Sequence, residues 1–192
     1  MVVLVLVIVL GALAAVALVV TLVRAGRRES AAEQVRLAED ARLAGRRSMG
    51  AIWAMDDRQF EEHIVALCRR DGCTGVQRVG GAGDLGADVT ATLPDGRRLV
   101  VQCKRYAAHR TVGSGEVQKF NGTARLHHGA DVPLFVASCV FTRPARTFAA
   151  GQQITLVDVD LLGFWNNGTP LLSLLELDIA RSGTNRKLGP TS

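Results

Sequence analysis

The sequence predicts an α/β domain preceded by one transmembrane helix, and three observations carry this prediction. The chain contains an uncharged apolar run near its amino terminus, helix and strand signals alternate through its middle, and residues 132–140 are apolar and rich in β-branched side chains. A stretch of the last kind is typical of a strand that is covered on both faces. The chain after the apolar run has the size of one ordinary domain plus a linker.

The apolar run from Val2 to Val23 contains neither a charged residue nor a proline. As an α-helix rising ~1.5 Å per residue it would be ~33 Å long, which matches the hydrocarbon core of a bilayer. A cleaved secretory signal is the alternative, because Ala12-Leu13-Ala14 has the small-x-small pattern of a cleavage site. However, no Lys or Arg precedes the run, and the run continues well past Ala14. We therefore expect a transmembrane helix at residues 1–24.

Three basic residues, Arg24, Arg27 and Arg28, directly follow this predicted span. Because positively charged residues flank the cytoplasmic end of membrane helices, we expect a single-pass protein of the cell membrane with its domain in the cytoplasm. That compartment is reducing, and the four cysteines show neither a C-x-x-C pair nor zinc-ligand spacing. The cysteines are therefore expected to be reduced, mostly buried and structural.

The chain after the span is predicted to have three parts. Residues 25–54 form a juxtamembrane helical linker, because 29–47 is rich in helix formers with Ala, Val and Leu on one face. Residues 55–166 form the globular domain, whose first helix is capped by Asp56-Asp57. Residues 167–192 form a C-terminal extension, which is predicted to be partly disordered because its end is polar and contains glycine.

Within the globular domain, helix and strand signals occur in the order α-β-β-β-α-β-α-β. Apolar, β-branched runs bounded by turn residues predict the strands, and amphipathic runs predict the helices. The strands are expected at 76–79, 87–92, 97–104, 132–140 and 154–157, and the helices at about 57–71, 114–128 and 143–150. The turn Pro94-Asp95-Gly96 joins the second and third strands as a hairpin.

Polar residues on these two strands can assemble a metal-assisted phosphodiester-cleaving site. Asp88 lies on the second strand, whereas Gln102 and Lys104 lie two positions apart on the third and share one face, with Cys103 on the other. Mg²⁺ prefers oxygen ligands, so the Asp88 carboxylate, the Gln102 side-chain oxygen and the Cys103 carbonyl are the expected ligands. Lys104 is expected to stabilise the charged phosphate or to orient the attacking water. Each residue alone is better explained as an ordinary strand residue, and only their joint spacing favours the site.

The segment Gly81-Ala82-Gly83-Asp84-Leu85-Gly86 satisfies the pattern G-x-G-x-x-G of dinucleotide-binding proteins. That function requires a helix to begin where the pattern ends, whereas here a strand comes next. We interpret the segment as a flexible turn that lets the backbone approach another polyanion.

Four sequence features together resemble the Mrr-like restriction endonuclease domain of the PD-(D/E)XK nuclease superfamily. They are Phe60-Glu61, Gly83-Asp84-x-Gly86-x-Asp88, Gln102-Cys103-Lys104-Arg105, and Phe141-Thr142 with Ala145 and Ala149. The resemblance runs from about Met55 to Trp165 and keeps the order and spacing of the elements. It implies a restriction-endonuclease-like fold with a mixed sheet flanked by helices, and DNA as the substrate. The amino-terminal span departs from the simplest layout of the family.

Further site residues are suggested by this resemblance and by the distribution of charge. Glu61 resembles the family carboxylate on the first helix that adds a metal ligand or holds the lysine in place. Basic residues concentrate around the third strand, which suits a phosphate backbone, so Arg105 and Arg110 are expected to contact DNA. Gln118, on the next helix, is a third candidate for contact with DNA. The family commonly carries Gln where other nucleases carry an acidic residue, so Gln102 fits it.

The leading functional prediction is a membrane-anchored, Mg²⁺-dependent DNA endonuclease of a restriction or DNA-processing type, similar to type IV enzymes. The alternative is a non-catalytic module that tethers nucleic acid at the cytoplasmic face of the membrane. A third interpretation is a membrane-surface scaffold, in which the basic residues after the span meet anionic lipids and the domain recruits a protein partner. Nucleases of this type often pair to cut both strands, so a homodimer is a further expectation, with the helix at 29–47 as its candidate interface.

Overall fold

The structure is a computed structural model that describes residues 49–79, 81 and 85–186, together with the single helical positions Glu33 and Arg36. The predicted span at 1–24 and most of the predicted helical linker lie outside the described residues. Within the described part of the chain, no helix combines the length and the apolar composition needed to cross a membrane.

Residues 49–54 are helical and lead into an α/β domain. Its elements in chain order are α1 Asp57–Arg70, β1 Thr74–Arg78, β2 Val89–Thr92, β3 Arg98–Lys104, β4 Thr111–Val112, α2 Ser114–Ala124, β5 Val132–Ala137, β6 Val140–Phe141, α3 Arg143–Gly151, β7 Thr155–Val157, α4 Val159–Asn166 and α5 Leu171–Arg186. The predicted order of helices and strands is confirmed, with β4, β6, α4 and α5 added to it.

A mixed five-stranded sheet forms the centre of the domain, in the spatial order β1-β2-β3-β5-β7. The first three of these strands are antiparallel neighbours, whereas β5 runs parallel to both β3 and β7. A tight turn suffices to join β2 and β3, but parallel neighbours need a crossover, which α2 and α3 provide. The mixed sheet flanked by helices is therefore confirmed.

Helix α1 begins where a capping box satisfies its first amides. The Asp56 side chain accepts the Gln59 N–H at 2.7 Å, and the Gln59 side chain accepts the Asp56 N–H at 2.8 Å. Its apolar residues recur at helical spacing, so that Phe60, Ile64 and Cys68 are buried against the sheet. The helix predicted from these same residues is thereby confirmed.

The sheet separates two buried clusters, which we call the closed face and the open face. The closed face lies under α1, α4 and α5 and includes the β3 residues Val101 and Cys103. The open face lies under α2 and α3 and includes Val100 together with Phe120 and Phe135. The central strands contribute to both clusters because successive side chains along a strand point to opposite faces. All four cysteines are free and buried, as predicted.

Two predicted elements extend three or more residues beyond those in the structure. Strand β5 ends at Ala137 and does not continue to Val140, because the Ser138 hydroxyl bonds to both backbone groups of Tyr106 and the chain then turns. Val140 begins β6, which pairs with β4 in a separate two-stranded sheet. Helix α2 ends at Ala124, and the amides of residues 127 and 128 both donate to the Thr123 carbonyl in the turns beyond it.

Helix α5 completes the closed face. Leu171, Leu174 and Leu175 are buried there, so the core continues into the predicted C-terminal extension at 167–192. The Asp71 carboxylate at the end of α1 accepts the Trp165 indole N–H at 2.7 Å and the Leu171 N–H at 2.8 Å, which joins three helices. The helix runs to Arg186 and thus extends into the stretch that the sequence predicted to be disordered.

Candidate active site

Asp88 and Gln102 meet across the hairpin of β2 and β3. The strand register pairs Val89 with Val101, which places the two polar residues opposite each other. Gln102 Nε2 donates a hydrogen bond to Asp88 Oδ2, and the Cys103 N–H donates to the same oxygen at 2.7 Å. Asp88 is 6% and Gln102 7% exposed. Strand register therefore brings together two of the predicted site residues in a buried, charge-assisted contact.

The Cys103 carbonyl belongs to the same contact, whereas the Cys103 thiol does not. Gln102 Nε2 lies 3.3 Å from the carbonyl oxygen. The side chain packs in the closed face, where burial raises the pKa of the thiol well above its ordinary value and the charges of Asp88 and Glu61 raise it further. The thiol is therefore a neutral core group, and only the carbonyl faces the site.

Gly86 lets a turn of backbone approach the Gln102 side chain closely. Its φ of +83° is favourable only for glycine, and a Cβ at this position would lie 3.1 Å from Gln102 Oε1. The Thr123 hydroxyl donates to the Leu85 carbonyl at 2.6 Å and so holds this turn onto α2. The described end of the glycine-rich segment thus lies beside Gln102, and its approach to a polyanion stays a prediction.

A cavity of about 410 Å³ opens beside Gln102 on the open face. Its lining includes Lys104 as well as Gln102, because residues two apart on a strand share a face. Helix α2 contributes Glu116 and Lys119 to the opposite wall. The cavity therefore combines an amide, two ammonium groups and a carboxylate in a space large enough for part of a ligand.

The base of this cavity is apolar. Phe120 and Phe135 line it, with ring centroids 5.7 Å apart in an edge-to-face arrangement. Phe135 makes a second edge-to-face contact with Phe141, which extends the aromatic packing beneath the site. An apolar base next to charged walls lowers the local dielectric constant, which strengthens electrostatic interactions inside the cavity.

Sequence reasoning missed Glu116 and Tyr106. The Tyr106 hydroxyl donates to Glu116 Oε2 at 2.9 Å. Burial raises the pKa of Tyr106, the hydrogen bond to Glu116 and its charge raise it further, and the charge of Arg110 opposes them, so the phenol remains a donor at neutral pH. The available signal was an acidic residue in the first turn of the helix after the Gln-x-Lys strand, where the helix dipole favours a carboxylate.

Two predicted site residues form other contacts. Glu61 Oε2 pairs with Arg78 Nη1 at 3.0 Å, on the side of the sheet that α1 covers. Arg105 Nε lies 3.3 Å from Asp57 Oδ1, and its Nη1 donates to the Trp53 carbonyl at 3.5 Å. Neither residue lines the cavity beside Gln102, so their contributions to metal and DNA binding stay predictions.

The other two predicted DNA-contacting residues lie at the surface. Arg110 is exposed, and its guanidinium carbon lies 5.3 Å from the centroid of the Tyr106 ring. Gln118 is exposed on α2 directly before Lys119, and helical spacing puts it on a different side of the helix from the residues that line the cavity. The DNA contacts of Arg110 and Gln118 also stay predictions.

The oxygen groups at the hairpin fit a hard divalent cation. Among the described residues there is no group of three or more His, Cys, Asp or Glu side chains that would hold a metal ion. Asp88, Gln102 and the Cys103 carbonyl instead supply one carboxylate, one amide and one backbone oxygen, a set suited to Mg²⁺ with several retained waters. Because Gln102 donates to Asp88 through its nitrogen, cation binding would require the amide to present its oxygen.

Comparison with known protein families gives a match that covers most of the globular domain of this chain. Residues 52–165 match the family Mrr_cat, which is described as a restriction endonuclease. The matched stretch is more than half of the chain and contains Asp88, Gln102 and Lys104.

A curated protein and solved structures of restriction endonucleases are similar to the chain. It is 35% identical over 111 residues to the type IV methyl-directed restriction enzyme EcoKMrr of Escherichia coli (strain K12), a match covering 54% of this chain and 36% of that enzyme. The chain thus spans about a third of that relative's length. The DNA modification-dependent restriction endonuclease AspBHI is 17% identical with a TM-score of 0.49, over 76% of this chain and 40% of its own. The MspJI restriction endonuclease, solved in complex with a 27-mer oligonucleotide, is 18% identical with a TM-score of 0.46, and the match covers 74% of this chain and 36% of the MspJI chain.

Proposed function

The chain belongs to the Mrr_cat restriction endonuclease family, and from this membership we propose that it is a Mg²⁺-dependent endonuclease that hydrolyses DNA phosphodiester bonds at the β2–β3 hairpin. The family is one of DNA-cleaving hydrolases. The choice of Mg²⁺, the role in restriction or DNA processing and the residues that act are parts of the proposal. These parts are proposed from the residues of this chain, because it spans only about a third of the length of its relative.

The observation that carries the proposal is that Gln102 contacts Asp88 and lines one cavity together with Lys104. Gln102 and Lys104 line the cavity from the same strand, β3. Hydrolysis of a phosphodiester requires oxygen ligands for a cation and a positive charge for the phosphate within one site. At the hairpin, the oxygen ligands for a cation and the Lys104 ammonium would lie next to each other, and no side chain of the closed face would take part.

Lys104 would meet the charge that develops on the scissile phosphate. Its ammonium forms no ion pair with any residue in the described part of the chain, so it is available to a ligand. Because the base of the cavity is apolar, a positive charge there stabilises a developing negative charge more strongly than it would in water. The aromatic base would also exclude bulk water from one side of the phosphate.

Asp88, Gln102 and the Cys103 carbonyl would hold the divalent cation. When bound there, a cation supplies an activated water and neutralises charge on the phosphate. The buried Asp88 carboxylate and the Cys103 N–H keep the oxygen set in place, because their hydrogen bond at 2.7 Å joins the two strands at the site. Gly86 would leave the Gln102 amide room to turn, since it presents no side chain to Gln102 Oε1.

DNA and the membrane complete the proposed setting. Arg105, Arg110 and Gln118 are the proposed DNA contacts, and the net charge of +5 favours a polyanion. Residues 1–24 would anchor the protein in the cell membrane with the domain in the cytoplasm, and a homodimer would cut both strands. The support for the anchor is the uncharged run from Val2 to Val23. Carbonate extraction of cell membranes tests it: full-length chain should stay in the pellet, and chain lacking residues 2–23 should not.

A non-catalytic tether for nucleic acid is the second candidate function. The observation that favours it is that Asp88 Oδ2 already accepts hydrogen bonds from Gln102 and from the Cys103 amide. A site closed in this way would bind DNA through its basic residues but would not need a cation. Its DNA binding would weaken steeply with salt and would persist in EDTA.

The decisive experiment compares two variants of Gln102 in the full-length protein, purified in mild detergent. Supercoiled DNA is incubated with each protein in Mg²⁺ or in EDTA, and nicking is measured on a gel. Gln102→Glu retains an oxygen ligand and is expected to keep Mg²⁺-dependent nicking within about tenfold of wild type, whereas Gln102→Leu removes the ligand and is expected to lose about 100-fold or more. Equal nicking by both variants would remove Gln102 from the cleavage site, whereas salt-sensitive binding without nicking by wild type would replace the nuclease with the tether.

A further inference from the structure

Glu116 is the one acidic residue among the described residues that line the cavity beside Gln102 and Lys104. A carboxylate here opposes the binding of a phosphate, because like charges repel more strongly next to an apolar wall. Its place in the first turn of α2 is favourable for helix stability, which is sufficient to explain a solvated acid. The contacts of Glu116 decide whether helix stability is its whole role.

Tyr106 fixes the Glu116 carboxylate from the end of β3. The Tyr106 hydroxyl donates to Glu116 Oε2 at 2.9 Å. Ser138 is 0% exposed, accepts the Tyr106 N–H at 2.7 Å and donates its hydroxyl to the Tyr106 carbonyl at 2.7 Å. Tyr106 is thereby anchored to the end of β5, and Glu116 is anchored to Tyr106. A solvated helix acid does not need a buried anchor of this kind, whereas a positioned carboxylate does.

The fixed carboxylate keeps one oxygen for the cavity. Tyr106 donates to Oε2, and no other donor reaches Glu116 among the side-chain hydrogen bonds of the described residues. Lys104 lines the same cavity from β3, and its long side chain has high rotamer freedom. A fixed negative charge in the cavity favours those rotamers of Lys104 that direct its ammonium into it.

We propose that Glu116 is a positioning residue of the cleavage site: held by Tyr106, its carboxylate keeps the Lys104 ammonium directed into the cavity, where the scissile phosphate is bound. This inference rests on the proposed function, because it is that function which gives Lys104 its role. It adds Glu116 of α2 and Tyr106, which follows β3, to the residues of the proposed site.

The first test is Glu116→Gln in the full-length protein. The amide oxygen still accepts the Tyr106 hydroxyl, so the variant removes the charge and keeps the hydrogen bond. We expect kcat for Mg²⁺-dependent plasmid nicking to fall about 10- to 100-fold, the effect of displacing a catalytic group. We expect affinity for the same DNA in EDTA to rise about threefold, because a negative charge has been removed from a polyanion site. An unchanged kcat, or a kcat that falls together with DNA affinity, overturns the inference.

Two further variants separate positioning from folding. Tyr106→Phe keeps the ring and removes the hydrogen-bond donor, so kcat is expected to fall. In the Glu116→Gln background, the same change is expected to cause no further loss of kcat. Glu62→Gln makes an identical charge change at an exposed carboxylate of α1, whose partner is Arg58, and is expected to leave kcat unchanged. Additive losses for Tyr106→Phe and Glu116→Gln would contradict a shared role.

A binding cycle in EDTA distinguishes failure of this inference from failure of the proposed function. DNA affinity is measured for wild type, Glu116→Gln, Lys104→Ala and the double variant. If Glu116 acts on Lys104, the gain in affinity from Glu116→Gln is larger in the Lys104→Ala background, because there the loss of Lys104 positioning no longer offsets the removal of a negative charge. An equal gain in both backgrounds overturns the inference. Absence of nicking by wild type in Mg²⁺ contradicts the proposed function instead, and the cycle still decides whether Glu116 and Lys104 are coupled.

Discussion

The two faces of the central sheet use the same strand for different purposes. On the closed face, β3 contributes Val101 and Cys103 to a continuous apolar cluster under three helices. On the open face, it contributes Gln102 and Lys104 to a cavity. Alternation of side chains along a strand makes this division available within four consecutive residues. The closed face therefore supports the fold, and the open face is free to carry chemistry.

Polar groups on the two faces also differ in whether their interaction partners lie within the protein. On the closed side, the Asp71 carboxylate accepts hydrogen bonds from Arg70, Trp165 and the Leu171 amide, so its acceptors are used in holding helices together. On the open side, Lys104 lines a cavity and forms no ion pair in the described part of the chain. Asp71 thus has its partners within the protein, whereas the Lys104 ammonium would find its partner in a bound ligand. This difference can be tested by substitution on each side.

The largest expected effect is on the open face. Lys104→Ala is expected to reduce Mg²⁺-dependent nicking by about 100- to 1,000-fold, because it removes a charge that stabilises the transition state. Thermal unfolding measured by circular dichroism is expected to match wild type, since Lys104 has no ion-pair partner to lose within the described residues. Arg58→Ala, at the surface of α1, is the control and should nick DNA at the wild-type rate. Strong destabilisation by Lys104→Ala would show that the open face also supports the fold.

On the closed face, we expect a substitution to lower stability and to leave the nicking rate unchanged. Asp71→Asn weakens the hydrogen bonds from Arg70, Trp165 and Leu171, so the free energy of unfolding should fall by about 1–3 kcal/mol. Urea unfolding monitored by tryptophan fluorescence measures this change, because Trp165 is one of the partners. The nicking rate per folded molecule should remain at the wild-type value. A loss of nicking larger than the loss of folded protein would contradict the separation of the two faces.

Gly86 gives an intermediate effect, because it combines backbone strain with a contact to the site. Gly86→Ala is expected to cost about 1–2 kcal/mol of stability, since alanine is strained at φ +83°, and to slow nicking by crowding Gln102 Oε1. Gly96→Ala is the matched control, because Gly96 has φ +88° but a Cβ there would meet nothing within 4 Å. Both variants should lose stability, and only Gly86→Ala should slow nicking. Equal rates in the two variants would remove the turn from the site.

The smallest expected effect is a dependence of stability on acidic pH. Burial opposes ionisation of Asp71, but hydrogen bonds from Arg70, Trp165 and the Leu171 amide together lower its pKa. The stability that this lowered pKa contributes is present above the ordinary carboxyl pKa of about 4 and is lost as the pH falls through the lower value of the folded state. Urea unfolding from pH 5 to pH 2 should show this decline in wild type. In Asp71→Asn the decline should be smaller, and identical slopes would contradict the assignment.

The central fold and the contact between Asp88 and Gln102 were accessible from sequence because both depend on local pattern. The two-residue spacing of Gln102 and Lys104 fixes their common face, and the Pro94-Asp95-Gly96 turn sets the register that places Asp88 opposite Gln102. The apolar stretch from Val132 predicted a strand covered on both faces, and all six residues of β5 are buried. In each case the signal lies within one element or one turn.

The remaining features depend on contacts between distant elements. Strands β4 and β6 have two residues each, so they contain too little periodicity to be recognised. Leu171, Leu174 and Leu175 do have helical spacing, but nothing in the sequence shows that the end of α1 accepts the Leu171 amide. Glu116 is an ordinary acid at a helix start until the structure places Tyr106 beside it. Contacts of this kind between distant elements leave no signal in the local sequence pattern.

The most direct measurement of the central claim is the rate of nicking of supercoiled DNA by the full-length protein before and after metal is added. Protein and DNA are mixed in the absence of divalent cations, Mg²⁺ is then added, and EDTA is added last. Nicking should begin only with Mg²⁺, stop with EDTA, and be absent throughout for Asp88→Ala. Nicking that proceeds before Mg²⁺ is added, continues after EDTA or is unchanged in Asp88→Ala would contradict a metal-dependent site at the β2–β3 hairpin.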